Sequence, residues 1–405
     1  MRKFILLLLV AVIGTSCVKN NSSQLSEEEK KYDFEYLYKE LKESYPYFYI
    51  NKRLNNVDWL ANKNDYLKRI SETRNDKEFF IAINEILGDL NNDHTDTYPT
   101  IIYDYFYKGY KGALAEYGMY KSYVEELEKT DTVKTKYWSS IKEQLQEVKH
   151  TKIAESQEKN LDGIETQNLM IDLKKEDYVA ILRIKSFSYD LVAEDSKRLK
   201  TFFQNDLKNY ANLIIDIQGN EGGDTTYWMD HIVSYLIKDS LNYTVNYGFK
   251  NSERIRKFKP SYFKKKYNYK DLDLENLPQE LKTNEYLIYS TEQSIAPKST
   301  QKYQGNIYLL VDGLVYSSAE ALAHFFKTTK IGKVVGERTN GDGVGTDPLL
   351  LTLPNSGIVV RFTGEMGLNP DGSANEEAKT TPDISIEAVS SDERLHNLLI
   401  QITEN

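Results

Sequence analysis

Asn306-Ile-Tyr-Leu-Leu-Val-Asp312-Gly-Leu-Val-Tyr-Ser317-Ser-Ala-Glu320-Ala-Leu-Ala-His-Phe-Phe326 is the stretch on which the fold turns. Its apolar first part, Asn306 to Asp312, predicts a buried strand; a glycine turn follows, and Ala319 to Phe326 starts an apolar helix. Ser317 therefore falls at a strand-to-helix junction, close to a helix N-terminus. Unpaired backbone N–H groups there can stabilise a negative oxygen, which an acyl-transfer nucleophile requires. A serine at such a place is also an ordinary helix N-cap. Residues elsewhere in the chain bear on the choice.

Moving outward, Tyr178-Val-Ala-Ile-Leu-Arg-Ile184 and Ala211-Asn-Leu-Ile-Ile-Asp-Ile217 are short apolar runs of the kind found in strands covered on both faces. Ser196 to Tyr210 and Thr225 to Ile237 read as helices between and after them. Pro348 to Leu353 and Ile358 to Phe362 flank Pro354-Asn-Ser-Gly357, a hairpin signal. Strands alternating with helices predict an α/β (α+β) core built on a mixed sheet. Upstream, residues from about Glu28 to Leu90 carry helical spacing, as in Tyr32 to Lys42 and Phe79 to Leu90. Helices continue from about Gly112 to Gln157. Lys257 to Lys282, rich in lysine and tyrosine without a clear period, reads as an excursion over the surface.

The chain has 405 residues and a net charge of −9 without any block of like charge. An acidic surface repels a phosphate backbone, so nucleic acid is excluded as a partner. Its one cysteine is Cys17, which leaves no intrachain disulfide and no thiolate metal site. Met1-Arg2-Lys3 is a short basic segment, and Phe4 to Ile13 is an apolar run too short to span a bilayer. Gly14-Thr15-Ser16 are small, and Cys17 follows at once. The pattern resembles a bacterial lipoprotein signal over residues 1–17, with Cys17 acylated as the mature N-terminus. Asn20 to Glu27 is polar and serine-rich, which suits a flexible tether over residues 18–29. The expectation is a soluble body held at the membrane of the bacterial cell envelope through Cys17, on its periplasmic or cell-surface face.

Two further segments could carry chemistry. Ile214-Ile-Asp-Ile-Gln-Gly-Asn-Glu-Gly222-Gly223 runs a strand into a glycine turn before a helix. Adjacent glycines allow close approach of backbone to a ligand and point N–H groups at it. The same residues also suit a tight turn with no further role, whereas a phosphate loop lacks its GxGxxG spacing and its Gly-Lys-Ser/Thr. Leu87-Gly-Asp-Leu-Asn-Asn-Asp-His94-Thr95 ends a helix in a polar turn that can project a histidine into a cleft as a general base, or simply leave it on the surface. His324, two turns along the helix from Ser317 and roughly 10 Å away, is too distant to take its proton.

Taken in order, these patterns resemble the tail-specific (C-terminal processing) and tricorn-core serine peptidases. The early Leu-x-Asp-x-His-Thr is matched by Leu-Asn-Asn-Asp-His94-Thr95, with Asn92 for the aspartate. Asp-x-Arg-x-Asn-x-Gly-Gly is matched by Asp216 to Gly223, with Gln218 for the arginine. The nucleophile segment and its trailing Gly-Glu-x-Thr-x-Gly are matched by Tyr316 to Glu320 and Gly336 to Gly341. The closing segment is matched by Asn369 to Gly372 through Glu376 to Thr381-Pro-Asp-Ile384. The resemblance covers residues 168–390 well and residues 30–100 loosely. It implies a mixed-sheet ClpP/crotonase-like peptidase core at 167–400 after an N-terminal helical domain at 30–110. Many members hold a PDZ domain in between, but residues 100–165 read as helical and lack its strand pattern, so a helical insert at 111–166 is expected in its place.

The resemblance further implies Ser317 as nucleophile. The tail-specific branch activates its serine with a lysine at the position of Asp342, and an acid cannot do that work. The tricorn-like branch uses the early histidine, here His94, oriented by a glutamate, here Glu376, with Glu377 one residue away as its competitor. Oxyanion donors would be the N–H of Gly222 or Gly223 and that of Ser318. Asp93 stands where tricorn-like enzymes carry a serine, so it could alter the wiring of the relay. No cofactor or metal is implied. The expected activity is hydrolysis of peptides or unfolded proteins; the alternatives are a peptide- or ligand-binding lipoprotein without catalysis on the same fold, or an acyl hydrolase using the same relay.

Overall fold

The computed structural model describes residues 24–98, 100–157 and 167–404. The signal segment, Cys17 and most of the tether lie outside the described residues. The centre is a six-stranded sheet in the spatial order Ile384–Ser385, Lys333–Gly336, Asn306–Val311, Asn212–Asp216, Val179–Ile184 and Leu169–Lys174. Every neighbouring pair is parallel except the last, which is antiparallel. Side chains alternate across it and both faces are covered. Ala180, Leu182, Leu213, Ile215, Leu309 and Val311 belong to the main core, whereas Val179, Ile181, Ile214 and Leu310 pack under Leu395 and Leu398 of the C-terminal helix Ser391–Thr403. Two-sided burial is why these strands read as unbroken apolar runs.

Two smaller antiparallel sheets flank the centre. In one, Val359–Phe362 lies between Leu349–Thr352 and the two-residue strand Asp96–Thr97, in the register Asp96 to Arg361 and Thr97 to Val360. The expected hairpin is present, with Gly357 at φ 69° in the turn. In the other, Leu241–Lys250 pairs with Tyr286–Ile295 and with Glu365–Leu368. The N-terminal helices Glu27–Ser44, Phe48–Asn55, Lys63–Ser71 and Asp76–Gly88 pack around the buried rings of Phe34, Trp59, Tyr66 and Phe79. Ser26 opens the first of them with a reciprocal capping box to Glu29. Thr100–Tyr117, Lys121–Leu127 and Thr132–Gln157 continue the helical part.

Three segments differ from the sequence expectation. The helix placed at Ser196 to Tyr210 starts earlier, as Tyr189–Thr201, and then loosens through Phe202–Asp206 into a tight turn at Leu207–Asn209. The helix at Thr225 to Ile237 is likewise widened at Met229–Val233. Lys257 to Lys282 is not a free excursion. Tyr262 is buried and stacks on Tyr289 at 4.5 Å, and Lys266–Tyr267 pairs with Tyr286–Ile295. Lysines on the solvent side disguise an aromatic face that is packed.

Candidate active site

The nucleophile segment forms the junction expected of it: the strand Asn306–Val311, a turn, then the helix Ser317–Thr329. The cap position falls on Tyr316, which makes no side-chain cap bond. Ser317 is not the N-cap. It opens the helix at φ 53°, a left-handed conformation costly for a residue with a Cβ, and strain of that kind clusters at functional sites. Its hydroxyl points out of the turn, 2.9 Å from His94 Nε2.

His94 arrives from the other end of the chain. It precedes the strand Asp96–Thr97, whose pairing with Val359–Phe362 delivers the polar turn to the rim of the central sheet. Lys142 from the helix Thr132–Gln157 brackets that strand, its Nζ donating to the Asp96 carboxylate, to Thr97 O at 3.0 Å and to Thr97 Oγ1 at 3.3 Å. The imidazole packs against the Tyr316 ring at 4.9 Å between centroids.

The carboxylate on the far side of the imidazole is Asp342, not Glu376. Asp342 Oδ2 lies 2.8 Å from His94 Nδ1. A carboxylate only accepts, so the proton sits on Nδ1 and leaves Nε2 to accept from the Ser317 hydroxyl. Asp342 is buried and well supplied with donors: Tyr47 Oη at 2.9 Å on Oδ1, and Asn92 Nδ2 at 2.8 Å and Tyr316 Oη at 3.2 Å on Oδ2. Burial works to raise its pKa, but the charge and hydrogen bond of His94, with the bonds from Asn92 and Tyr47, outweigh it and hold the carboxyl below its ordinary value.

Glu376 sits behind this pair. Its Oε1 receives only a long bond from Asn92 Nδ2, 3.4 Å, and its Oε2 is sealed from solvent with no partner. Burial, and then the charge of Asp342, push its pKa well above the ordinary carboxylate value. Glu377 points elsewhere, to Arg53 at 2.7 and 2.9 Å. The Asp93 side chain is exposed, and its carbonyl accepts from Arg361 at 3.2 Å. Gln218 bonds Asp216 and the carbonyl of Ser391, under the C-terminal helix rather than at the site.

The glycine turn meets the nucleophile directly. A Cβ on Gly222 would come within 2.8 Å of both Ser317 Cβ and the Ser318 nitrogen, so only glycine fits. Gly222 nevertheless spends its N–H on Asn220 Oδ1 at 2.8 Å. The bridge to Phe187 uses the carbonyl of Gly222 and the N–H of Asp224. Gly223 N–H lies outside both contacts, which leaves it, with Ser318 N–H in the first turn of the helix, as the donor pair for an oxyanion. His324 is buried inside the same helix, and burial holds its pKa down to about 4.

Sequence reasoning missed Asp342 as a partner of His94. It noted that an acid replaces the lysine there. A signal was at hand, because a position that delivers a base to the serine in one branch must lie beside that serine in any chain of the same fold.

A model of peptidase family S41 matches residues 178–386, and a model of the tricorn protease C1 domain matches residues 26–88. A putative peptidase from Parabacteroides merdae ATCC 43184 superposes with a TM-score of 0.57 at 16% identity, covering 92% of this chain and 96% of its own. Mature CPAF superposes with a TM-score of 0.56 at 13% identity, covering 93% and 97%. The photosystem II D1 C-terminal processing protease gives 0.45 at 16% identity, covering 91% and 97%. No curated protein sequence matches the chain.

Proposed function

The chain belongs to peptidase family S41, and from that premise we propose that it is an exported, lipid-anchored serine endopeptidase acting through an acyl-enzyme on Ser317. The observation that carries this reading is the unbroken series Ser317 Oγ, His94 Nε2, His94 Nδ1, Asp342 Oδ2, joined at 2.9 and 2.8 Å. A neutral serine hydroxyl is a poor nucleophile, and a histidine in contact with it supplies the base.

In the first half-reaction His94 Nε2 takes the Ser317 proton as Oγ attacks the scissile carbonyl. The imidazolium so formed faces ionised Asp342, which stabilises the charge and fixes the tautomer. The developing oxyanion falls to the N–H groups of Gly223 and Ser318, each such donor being worth ~3 kcal/mol in a water-poor site. His94 then protonates the leaving amine, and a water activated by the same imidazole releases the acyl group. Substrates are peptides or unfolded proteins.

Anchoring rests on the sequence alone: the basic start, the short apolar run and the small residues before Cys17. Cys17→Ser is expected to move the protein from the membrane fraction to the soluble fraction of the producing cell, and retention in the membrane fraction would count against lipidation. A fluorophosphonate probe tests the chemistry. Labelling of the wild type that disappears in Ser317→Ala and His94→Ala is expected. Equal labelling of wild type and Ser317→Ala, or none of either, favours a binding protein on the same fold.

A further inference from the structure

Two carboxyls face one amide: Asp342, which is buried, and Glu376, a half-buried residue whose Oε2 is sealed from solvent. Asn92 Nδ2 reaches Asp342 Oδ2 at 2.8 Å and Glu376 Oε1 at 3.4 Å, and its own Oδ1 is fixed by Thr95 Oγ1 at 2.9 Å and Thr363 Oγ1 at 3.2 Å. The amide cannot turn toward Glu376 without abandoning both threonines. Asp342 has four donors in reach, whereas Glu376 has one, and that one is long. A buried carboxylate without donors is expensive, and two adjacent ones more so. The arrangement accommodates one negative charge, on Asp342.

Glu376 is also held where it stands. On one side Asn375 is bonded to Glu320 at 2.7 Å, to Asn369 at 3.1 Å and to the N–H of Gly343 at 3.0 Å. On the other, Glu377 is paired with Arg53, and Lys379 with Asn340 at 2.9 Å. A slip of the turn that would swing Glu376 onto His94 breaks all of these. The other titratable groups around it are Asp93 and His94 on the histidine turn, Tyr45 and Tyr47 before the helix Phe48–Asn55, Tyr316 beside the nucleophile, and Lys379 on its own turn. Among the described residues the Tyr45 hydroxyl is likewise buried without a partner. Glu376, Tyr45, Tyr47, Asp93 and Tyr316 line one cavity of about 220 Å³.

We propose that Glu376 is a positioning residue that works as a neutral acid: it occupies the second place on the Asn92 amide, closes the cavity off from Asp342, and leaves Asp342 as the single negative charge behind His94. The proposal rests on the peptidase reading above and inverts the role that the family resemblance implies for this glutamate. Its function is that of shape and a proton, not of charge. Without it, water from the cavity reaches Asp342 and competes with His94 for its Oδ2.

Three full-length variants test this. Glu376→Ala is expected to lower kcat about tenfold with KM unchanged, because the relay loosens by a fraction of an ångström. Glu376→Gln, neutral and of the same shape, is expected to restore kcat to within about threefold of wild type; Asp342→Asn is expected to lose roughly 10³- to 10⁴-fold. In wild-type-minus-variant infrared difference spectra at pH 7, each Glu376 variant is expected to have lost one protonated-carboxyl band, separate from that of buried Glu320, whose pKa is raised to about 7 and which both variants retain. The proposal is overturned if Glu376→Gln is as inactive as Asp342→Asn, if Glu376→Ala equals wild type, or if neither variant loses that band. If the unmodified protein proves inert to fluorophosphonate, the peptidase reading fails by itself. The infrared band, together with the deshielded N–H signal of the His94–Asp342 bond in wild type and the Glu376 variants, then decides the arrangement.

Discussion

Asp342 stands at φ 49° between Gly341 and Gly343, and the tightness of that loop is what aims its carboxylate. A Cβ on Gly343 would lie 2.4 Å from the Ala321 nitrogen, so the loop lies directly on the first turn of the nucleophile helix. Asparagine tolerates the left-handed region and keeps the shape, so Asp342→Asn should fold normally. It should still lose roughly 10³- to 10⁴-fold in kcat, since an amide can present a donor to Nδ1 and favour the wrong tautomer. Single-turnover hydrolysis with a circular dichroism control checks this, and near-normal turnover would remove Asp342 from the relay. The nucleophile, the histidine and the glycine turn were legible because each lies in a short pattern of its own. The acid was not, because its role depends on which of two carboxyls finds donors, and the donors Tyr47 and Asn92 lie about 250 to 300 residues away in sequence. Glu320 gives a pH-dependent counterpart. It is fully buried, its Oε1 bonded to Asn375 at 2.7 Å and Thr380 at 2.6 Å, and burial pushes its pKa up to about 7. Since the unfolded chain ionises this glutamate near pH 4.3, stability is present below that value and is lost as pH rises towards 7, by on the order of 3 kcal/mol. Glu320→Gln should therefore melt higher than wild type at pH 8 and no higher at pH 4; a gap that stays constant between the two would refute it.

The strand–turn–helix around Ser317 was readable from its apolar runs, and so was the hairpin at Gly357, because both obey a local rule. Asp96–Thr97 obeys none. Two residues have no period, and they become a strand only by adding to the edge of Val359–Phe362, a decision made by tertiary contact. Leu241–Lys250 and Tyr286–Ile295 escaped for a related reason, since polar residues and tyrosines interrupt the alternation on a sheet whose faces are unequally buried. The short strand matters most for function, because it ties the histidine turn to the sheet edge, alongside the bond from Arg361 to the Asp93 carbonyl and the packing of His94 on Tyr316. Its edge is secured by Tyr98 N–H to Val359 O at 2.7 Å and by Lys142. Lys142→Ala should leave the core intact, because the lysine is not part of the hydrophobic cluster. It should nevertheless lower kcat about tenfold, with little change in melting temperature, by letting the histidine turn drift. A parallel fall in melting temperature and activity would instead mark Lys142 as a residue of general stability.

The main hydrophobic cluster runs from Phe34 in the first helix to Ala374 near the closing segment, so the N-terminal helices and the central sheet share one interior. Their polar contacts are buried as well. Both oxygens of Asp33 cap the hairpin turn, accepting from the N–H groups of Asn355 and Ser356 at 2.8 Å, and Ser44 Oγ meets Ser252 Oγ at 2.9 Å. Lys250 Nζ donates to the carbonyl of Lys42 at 2.8 Å. Removing one side of such contacts leaves the other buried and unpaired, which costs about 1–3 kcal/mol for each group, against a total stability of roughly 5–15 kcal/mol. The segment bearing Ser317 is therefore expected not to fold on its own. A chain beginning at residue 100 would lose Asp33, Ser44, Tyr47, Asn92 and His94 together, strip the edge from Val359–Phe362, and remove Phe34, Trp59 and Phe79 from the shared core. It should be insoluble or partly unfolded, and adding the missing segment as a separate polypeptide should restore both solubility and fluorophosphonate labelling to a measurable extent. Should residues 100–405 instead purify as a soluble monomer with a cooperative melt like that of the full chain, the two halves are independent units, and the placement of His94 over Ser317 would have to come from docking between them rather than from a common core.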